Sequence, residues 1–405
     1  MLYERIIRPL LFILSPERAH NFTLGCLSFL RSIPLGRQMT RLFFSKKAPS
    51  LNREVFGIDF PNPIGLAGGL DKNGEHYNSL SDLGFAFVEI GSLTTEAQKG
   101  NPSPRLWRLP KDQALVNHMG INNKGIINAI EHIREDRPRC ILVGNISKRT
   151  TAKTEGEIKA DYIKAFSLIY DFVDMVVVNV SCPNVEGLTS LQDVSYLSSF
   201  MDPILDRRMI QEERKPVLVK ISPDLENEQV DAIIEYCRRN GVDGLVAGNT
   251  TRKRENLSTP PQKLAEVGSG GLSGAPLYER SLSLVKYIHE KTGGSLPVIG
   301  CGGIMTPAQA MEMLDSGASL VEVYTGFIYH GPSFVKKILR AILKRQKEEA
   351  AALKGSPRRP ERRIKRDPSP TVEETPSTDA GRLPEPVAPS IPAAPAQTPE
   401  EGNQN

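Results

Sequence analysis

The sequence predicts an α/β protein whose main domain is a closed (β/α)8 TIM barrel. Between residues 60 and 330, eight short apolar runs are each followed by glycine, asparagine, serine or lysine and then by a longer stretch of helical character. Strands that alternate with helices imply right-handed crossovers and a parallel sheet. Eight such units in this length favour closure into a barrel, with a doubly wound open sheet as the alternative. The runs are PIGLAGG, FAFVEIGS, CILVGNIS, MVVVNVS, VLVKIS, GLVAGNT, PVIGCGG and LVEVYTG.

Residues 1–46 precede the barrel and predict an amphipathic helical extension. They hold two apolar segments that carry several arginines and are broken at Pro16 and Pro34. No apolar run reaches about 20 residues, so no membrane-spanning helix is expected. A secretory signal would need a cleavage site of small residues after its apolar core, and none is present. We expect two helices that either lie on a membrane or cap a core.

The barrel is expected at residues 47–345 and a tail at residues 346–405. Beyond about residue 345 the sequence changes to KRQKEEAAALK and then to a charged, proline-rich segment without aromatic residues. Such a segment has little apolar surface to offset its ordering entropy, so the tail is predicted to be disordered. Its basic run RRPERRIKR either touches anionic lipid or is a solvated linker.

Charge and cysteine content exclude two classes of site. The formal net charge is +4, and RRPERRIKR supplies much of the excess. The remainder is near neutral, which argues against a nucleic-acid partner because such domains show a basic stripe within the fold. The five cysteines are scattered, without a CxxC pair or a Cys/His cluster, so no metal site is expected.

The C-terminal ends of the predicted strands are where a barrel places its chemistry. Here these ends are rich in amides, which both donate and accept hydrogen bonds and suit a flat heterocycle with carbonyl and N–H edges. Asp71 and Asp224 flank the region and suit capping or salt bridges as readily as catalysis, so no paired-carboxylate glycosidase is predicted. The strand-end residues are Gly68 to Lys72, Gly91, Ser92, Asn145, Asn179, Cys182, Asn184, Lys220, Asn249, Thr250, Gly302, Gly303, Tyr324 and Thr325.

Glycine-rich turns at these ends predict a phosphate site. GCGG (300–303) and YTG (324–326) follow the last two strands, where barrels commonly hold phosphate on backbone N–H groups, and SGGLSG (269–274) could add a third wall. Lys72 and Lys220 also stand at strand ends. An inward lysine is costly unless it meets an anion or a polarised ring, although Lys72 could instead reach solvent from its loop.

Taken together, GLAGGLDKNG, NHMGINNKG, NVSCPN, VKISPDL, NTT, GGLSGAPL, IGCGGI and VYTGFIYHGP resemble dihydroorotate dehydrogenase, an FMN-binding (β/α)8 barrel. The resemblance covers about residues 1–345. The N-terminal segment, with PERAH at residues 16–20, is similar to that of the membrane-associated class 2 enzymes, which pass electrons to quinone. Class 1 enzymes, which are soluble and use fumarate or NAD, lack it.

The resemblance implies oxidation of (S)-dihydroorotate to orotate in pyrimidine biosynthesis, with FMN as cofactor and membrane quinone as acceptor. It also implies a monomer bound peripherally at the cytoplasmic face of the inner membrane. The implied FMN contacts are Ala67, Gly68, Ser92, Asn145, Asn179, Lys220, Gly274, Gly303, Tyr324 and Thr325. The implied substrate contacts are Lys72, Asn117, His118, Met119, Gly120, Ile121, Asn179, Asn184, Asn249 and Thr250. The implied quinone tunnel is lined by His20, Arg108 and Tyr324.

Two positions depart from the class 2 pattern. Cys182 stands where class 2 enzymes have serine and class 1 enzymes cysteine, and Gly248 replaces a threonine before Asn249, which removes one side-chain hydrogen bond to the flavin. A thiol with a pKa of about 8.5 is partly ionised near neutrality and accepts a proton directly, so we expect Cys182 to be the general base that takes the C5 proton. The cysteine leaves a class 1 acceptor, fumarate or NAD, as the alternative.

Two other readings belong to different functional classes. A phosphate-binding barrel isomerase or aldolase would use a Schiff-base lysine or a carboxylate base and would be colourless. A membrane-binding scaffold with an inert barrel would be unaffected by replacement of Cys182 or Lys220.

Overall fold

The fold is a closed barrel of eight parallel strands, seen in a computed structural model that describes residues 2–181 and 192–355. The strands pair in the circular order β10, β12, β13, β3, β4, β7, β8, β9. This closure confirms the predicted (β/α)8 barrel over the open sheet, and each of the eight apolar runs overlaps one barrel strand. The barrel strands are Ile64–Asp71 (β3), Phe87–Leu93 (β4), Ile141–Ile146 (β7), Met175–Asn179 (β8), Val217–Ile221 (β9), Gly244–Ala247 (β10), Val298–Cys301 (β12) and Leu320–Val323 (β13).

The strands form because both of their faces are buried. Every residue of β8 and of β9 is buried, as expected for a parallel strand between a barrel core and a layer of helices. Inward-facing side chains fill the barrel, and near one end Phe60 packs edge to face on Phe87 with ring centroids 5.4 Å apart. Phe60 belongs to a hairpin of Arg53–Val55 (β1) and Ile58–Phe60 (β2).

Helices cover the outside of the barrel and bury their apolar faces against the strands. Several begin at strong caps: Thr154 and Glu157 form a capping box, as do Thr306 and Gln309. The helices are Arg8–Ile13 (α1), Pro16–Ser32 (α2), Gly36–Phe44 (α3), Tyr77–Ser81 (α4), Ile126–Glu135 (α5), Glu155–Ile169 (α6), Val194–Met209 (α7), Asn227–Asn240 (α8), Pro261–Val267 (α9), Tyr278–Thr292 (α10), Pro307–Asp315 (α11), Thr325–His330 (α12) and Phe334–Gly355 (α13).

A small antiparallel sheet is inserted between barrel elements. It is made of Leu106–Leu109 (β5), Ala114–Asn117 (β6) and Gly271–Gly274 (β11), with β6 in the centre. Its own apolar cluster lies between the sheet and α9. The sheet brings the 114–117 and 271–274 segments, far apart in sequence, into register.

The N-terminal extension is helical, as predicted, but it holds more than the expected two helices. A π-helical turn, Tyr3–Ile7, leads into α1, and α2 and α3 follow. Pro16 starts α2 at its first turn, a position that needs no N–H donor, so the proline separates two helices. Among the described residues, no helix is long and apolar enough to cross a membrane.

The C-terminal boundary also differs from the prediction. Helix α13 continues to Gly355, so residues 346–355, assigned above to a disordered tail, are helical. The sequence there, QKEEAAALKG, is rich in strong helix formers, whose propensity extends the helix beyond its packed face. The rest of the predicted tail, residues 356–405, lies outside the described residues.

Candidate active site

A cavity of about 310 Å³ opens at the C-terminal ends of the barrel strands. Helix α2 and the small antiparallel sheet contribute to its wall. All ten residues implied as FMN contacts line it. Asn179 is also an implied substrate contact, and seven other residues of that set line the cavity, as does His20. The seven are Lys72, Asn117, Met119, Gly120, Ile121, Asn249 and Thr250.

Lys220 lies at the centre of the cavity floor and is almost fully buried. Its ammonium contacts Glu89 Oε1 at 2.8 Å and Oε2 at 3.1 Å, and Glu322 Oε2 at 3.4 Å. Burial opposes the charged form of this lysine, but the two carboxyl groups outweigh burial and raise its pKa. Lys220 is therefore a permanent cation beneath the cavity.

Three amide side chains on neighbouring strand ends are held by hydrogen bonds. Asn145 donates from Nδ2 to Glu89 Oε1 at 2.5 Å. Asn179 donates to Ser92 Oγ at 2.8 Å, and Asn249 donates to Ser181 Oγ at 2.9 Å. These bonds fix which amide atoms turn toward the cavity.

The residues present fit a flat polar ring. The Asn145 Oδ1 atom is buried in the cavity wall and has no hydrogen-bond partner among the described residues, so it is an acceptor available to a ligand N–H. A Cβ at residue 68 would come within 2.3 Å of Glu89 Oε1. A side chain at residue 68 would therefore displace the Glu89 carboxylate that pairs with Asn145 and Lys220.

Lys72 also lines the cavity, and its pKa is shifted in the opposite direction to that of Lys220. Its ammonium donates to the Gly69 carbonyl at 2.6 Å. Burial lowers the pKa of Lys72 to about 8, with Glu17 acting in the opposite direction. Lys72 is thus a cation near neutrality whose charge depends on what enters the cavity.

Helix α2 contributes His20 to the wall. Burial, with the nearby charges of Lys72 and His76, lowers the pKa of His20 to about 3. The imidazole is therefore neutral at physiological pH. An ion pair of 2.9 Å between Glu17 and Arg105 fastens the start of α2 to the loop that precedes β5.

Two of the implied site residues lie away from the cavity wall. His118 belongs to the loop after β6, where its backbone N–H donates to the Arg105 carbonyl at 2.8 Å. Arg108 donates to the Leu14 carbonyl at 2.7 Å and lies over the Phe12 ring, so it caps the end of α1. Cys182 and Asn184 lie outside the described residues.

The carboxylates flanking the site have the capping roles considered above. Asp71 accepts from the backbone N–H groups of Glu75 and His76, and Asp224 accepts from Thr251 Oγ1 and the Arg252 N–H. Sequence reasoning did not single out Glu89, Glu322 or Cys301, which also line the cavity. A signal was available: each carboxylate interrupts an apolar strand, in FVEIGS and LVEVYTG.

The fold and the site together define a (β/α)8 barrel enzyme with a polar pocket that presents amides and lysines to a planar ligand. The family model described as dihydroorotate dehydrogenase matches residues 50–345. The chain belongs to the dihydroorotate dehydrogenase family.

Relatives named "Dihydroorotate dehydrogenase (quinone)" match most of the chain. The one from Christiangramia forsetii is 40% identical over 344 residues, 85% of this chain and 99% of the relative. The one from Synechococcus sp. is 43% identical over 370 residues, 89% of this chain and 96% of the relative. A crystal structure of the Eimeria tenella enzyme in complex with ferulenol is 30% identical, with a TM-score of 0.74, covering 83% of this chain and 93% of that one.

Proposed function

We propose that the protein oxidises (S)-dihydroorotate to orotate and passes the electrons to quinone. The observation that carries the proposal is the cavity floor, where the buried Lys220 and the amides of Asn145, Asn179 and Asn249 converge at the strand ends. The family match and the quinone-linked names of the relatives support it.

FMN is the cofactor that fits this site, and when bound it accepts hydride from the substrate. The proposed FMN contacts are the ten residues given above. Asn145 offers its free Oδ1 to a ring N–H, and Lys220 places a fixed positive charge beside the ring. A cation that is already fixed where negative charge develops stabilises the transition state, so it lowers the reaction barrier without any rearrangement of the protein.

The substrate is proposed to lie between the flavin position and Lys72. Lys72 is the cation that pairs with the carboxylate of dihydroorotate, and Asn117, Asn179, Asn249 and Thr250 read the edges of the pyrimidine. Cys182 is proposed as the base that takes the C5 proton. This assignment rests on its place in NVSCPN after β8 and on the resemblance.

Quinone is proposed to approach from the N-terminal helices. Helix α2 lines the same cavity through His20, and Tyr324 forms part of the wall. A neutral His20 can donate a hydrogen bond from its ring N–H to a quinone carbonyl oxygen without a charge penalty. We propose that Arg108 acts indirectly, by fixing the end of α1 at the entrance.

The N-terminal helices are also proposed to hold the enzyme peripherally at the cytoplasmic face of the inner membrane, as a monomer. Of the large apolar side chains exposed in the described residues, all but Ile127, Met209, Ile210 and Leu353 belong to residues 2–43. An exposed apolar surface concentrated in one segment is typical of interfacial helices.

The proposal is tested by the rate of dihydroorotate oxidation with a short-chain quinone, compared with fumarate and NAD. We expect turnover with quinone, and a Cys182→Ser variant whose activity falls or requires higher pH between about pH 6 and about pH 10. Turnover with fumarate or NAD but not with quinone would refute the acceptor. An unchanged pH profile in the serine variant would refute the base.

A further inference from the structure

The buried carboxyl groups of Glu89 and Glu322 converge on one cation. Glu89 comes from β4 and Glu322 from β13, and both contact the ammonium of Lys220 on β9. The side chains of both glutamates are fully inaccessible to solvent, and that of Lys220 is 6% exposed. Two acids and one base are therefore buried together in the cavity wall.

Charge balance limits how this trio can ionise. If both glutamates were ionised, the cluster would carry a net charge of −1 on side chains that are almost fully buried. Burying an uncompensated charge costs several kcal/mol even after relaxation of the protein. One proton on the pair makes the trio neutral, so the neutral arrangement is strongly favoured.

The remaining contacts agree with one shared proton. Glu322 Oε1 is buried and has no hydrogen-bond partner in the described part of the chain, while oxygens of both carboxyl groups lie within 3.4 Å of the one Lys220 ammonium. A proton on Glu322 would turn its carboxyl group into a hydrogen-bond donor. The other neighbours are the neutral Asn145 amide on β7 and the Cys301 thiol on β12. Neither neighbour supplies a positive charge, so no second cation compensates the second acid.

The titration behaviour of the pair points the same way. Burial, reinforced by the negative charge of Glu89, raises the pKa of Glu322 well above its usual range. Burial disfavours the charged form of Glu89 as well, but Lys220 and the hydrogen bonds to its carboxylate outweigh burial and lower its pKa. Cys301 is a thiol throughout, because burial raises its pKa.

We propose that Glu89 and Glu322 share one proton and act together as a single, interchangeable counter-ion that positions Lys220 beneath the flavin. Both are positioning residues. Because the proton can reside on either carboxyl group, removal of one acid leaves the other free to ionise and take its place. Only removal of both leaves Lys220 without a counter-ion. The flavin part of this inference rests on the proposed function, whereas the proton sharing does not.

Infrared spectroscopy of the purified protein tests the sharing directly, since a protonated carboxylic acid has a carbonyl band separate from that of carboxylates. Spectra are compared at about pH 8, where ordinary carboxyl groups are ionised. The difference between wild type and Glu322→Gln should contain one acid band, and so should the difference between wild type and Glu89→Gln. Asp71, another buried acid with a raised pKa, is present in all three proteins and cancels, and an Asp71→Asn variant identifies its band.

The dissociation constant of FMN provides a second test, of the role of the two glutamates toward the flavin. Each single glutamine variant should stay within about threefold of wild type, whereas the double variant should bind FMN at least about tenfold more weakly, equivalent to ~1.4 kcal/mol.

The sharing is overturned if the wild type has no acid band, or if the band is lost in only one single variant. The role toward the flavin is overturned if the double variant binds FMN like wild type. Should the double variant not fold, the two single variants and the infrared comparison still decide. Wild-type protein that binds no FMN would refute the proposed function and leave the infrared result standing.

Discussion

The charge state of Lys72 makes a quantitative prediction for ligand binding. Its pKa of about 8 reflects a buried ammonium that has a backbone carbonyl as its hydrogen-bond partner. Orotate brings a carboxylate to this ammonium, so binding raises the pKa of Lys72 and takes up a proton above about pH 8. Orotate should therefore bind with its full affinity below about pH 8, and this affinity should fall as the pH rises above that value.

The magnitude follows from the fraction of free enzyme with a charged Lys72. That fraction is about nine tenths at pH 7 and about one hundredth at pH 10. The dissociation constant of orotate should thus be nearly constant up to about pH 8 and then rise about tenfold per pH unit. In Lys72→Met the constant should be higher by about 10- to 150-fold at neutral pH, because a charged hydrogen bond of about 1.5–3 kcal/mol is lost.

The assay is titration of the oxidised flavoprotein with orotate, followed by flavin absorbance. Binding of the product avoids the pH dependence of the catalytic base, and a Cys182→Ser background removes the charge of the thiolate as a competing explanation. The rise above about pH 8 should be absent in Lys72→Met. A constant affinity up to about pH 10 in the wild type would refute the role of Lys72, and so would an equal pH dependence in the methionine variant.

Two further predictions concern the membrane surface and the barrel wall. Replacing Phe22 and Phe29 by aspartate should weaken binding to lipid vesicles by at least about tenfold, because both rings are exposed on α2. Dihydroorotate oxidation with a water-soluble acceptor should be unchanged. The control is Ile127→Asp, at an exposed apolar side chain outside the N-terminal helices, and an equal loss of vesicle binding in this control would contradict the prediction. Tyr162→Phe should reduce the free energy of unfolding by about 1–3 kcal/mol in a denaturant titration, because it leaves the buried Asn179 carbonyl without the 2.8 Å hydrogen bond it accepts from the tyrosine hydroxyl. No loss of stability would mean that another donor replaces the hydroxyl.

The barrel and the location of the site could be predicted because they depend on local signals. Short β-branched runs specify buried parallel strands, and the topology of a closed barrel brings all their C-terminal ends together. Asn145, Asn179 and Lys220 therefore meet in one cavity although their strands are far apart in sequence. No long-range contact has to be known in advance for that inference.

The cavity floor was harder to predict. In strands buried on both faces, polarity does not distinguish the inward from the outward side, so the orientations of Glu89 and Glu322 are not evident from the sequence. The positions of Arg108 and His118 depend on how α1 and the loop after β6 pack, which no local pattern determines. The helix propensity of KEEAAALK favours the helix found at residues 346–355, whereas the change in composition near residue 345 favours a tail, and only the contacts of α13 decide between the two.

The two lysines of the cavity show how surroundings assign different tasks to one residue type. Lys220 has two acidic partners, and its pKa rises, so its charge is the same with or without ligand. Lys72 donates to the Gly69 carbonyl, and burial lowers its pKa to about 8, so a bound anion is what keeps it charged at higher pH. A permanent cation suits a ring on which negative charge develops at every turnover, because no proton has to move to stabilise that charge. A cation without a fixed counter-ion suits a carboxylate that must bind and leave, since no protein acid competes with the ligand for it. Removing the acids that contact Lys220 should therefore make the affinity for flavin depend on pH. Adding an acid beside Lys72 should make the affinity for orotate less dependent on pH.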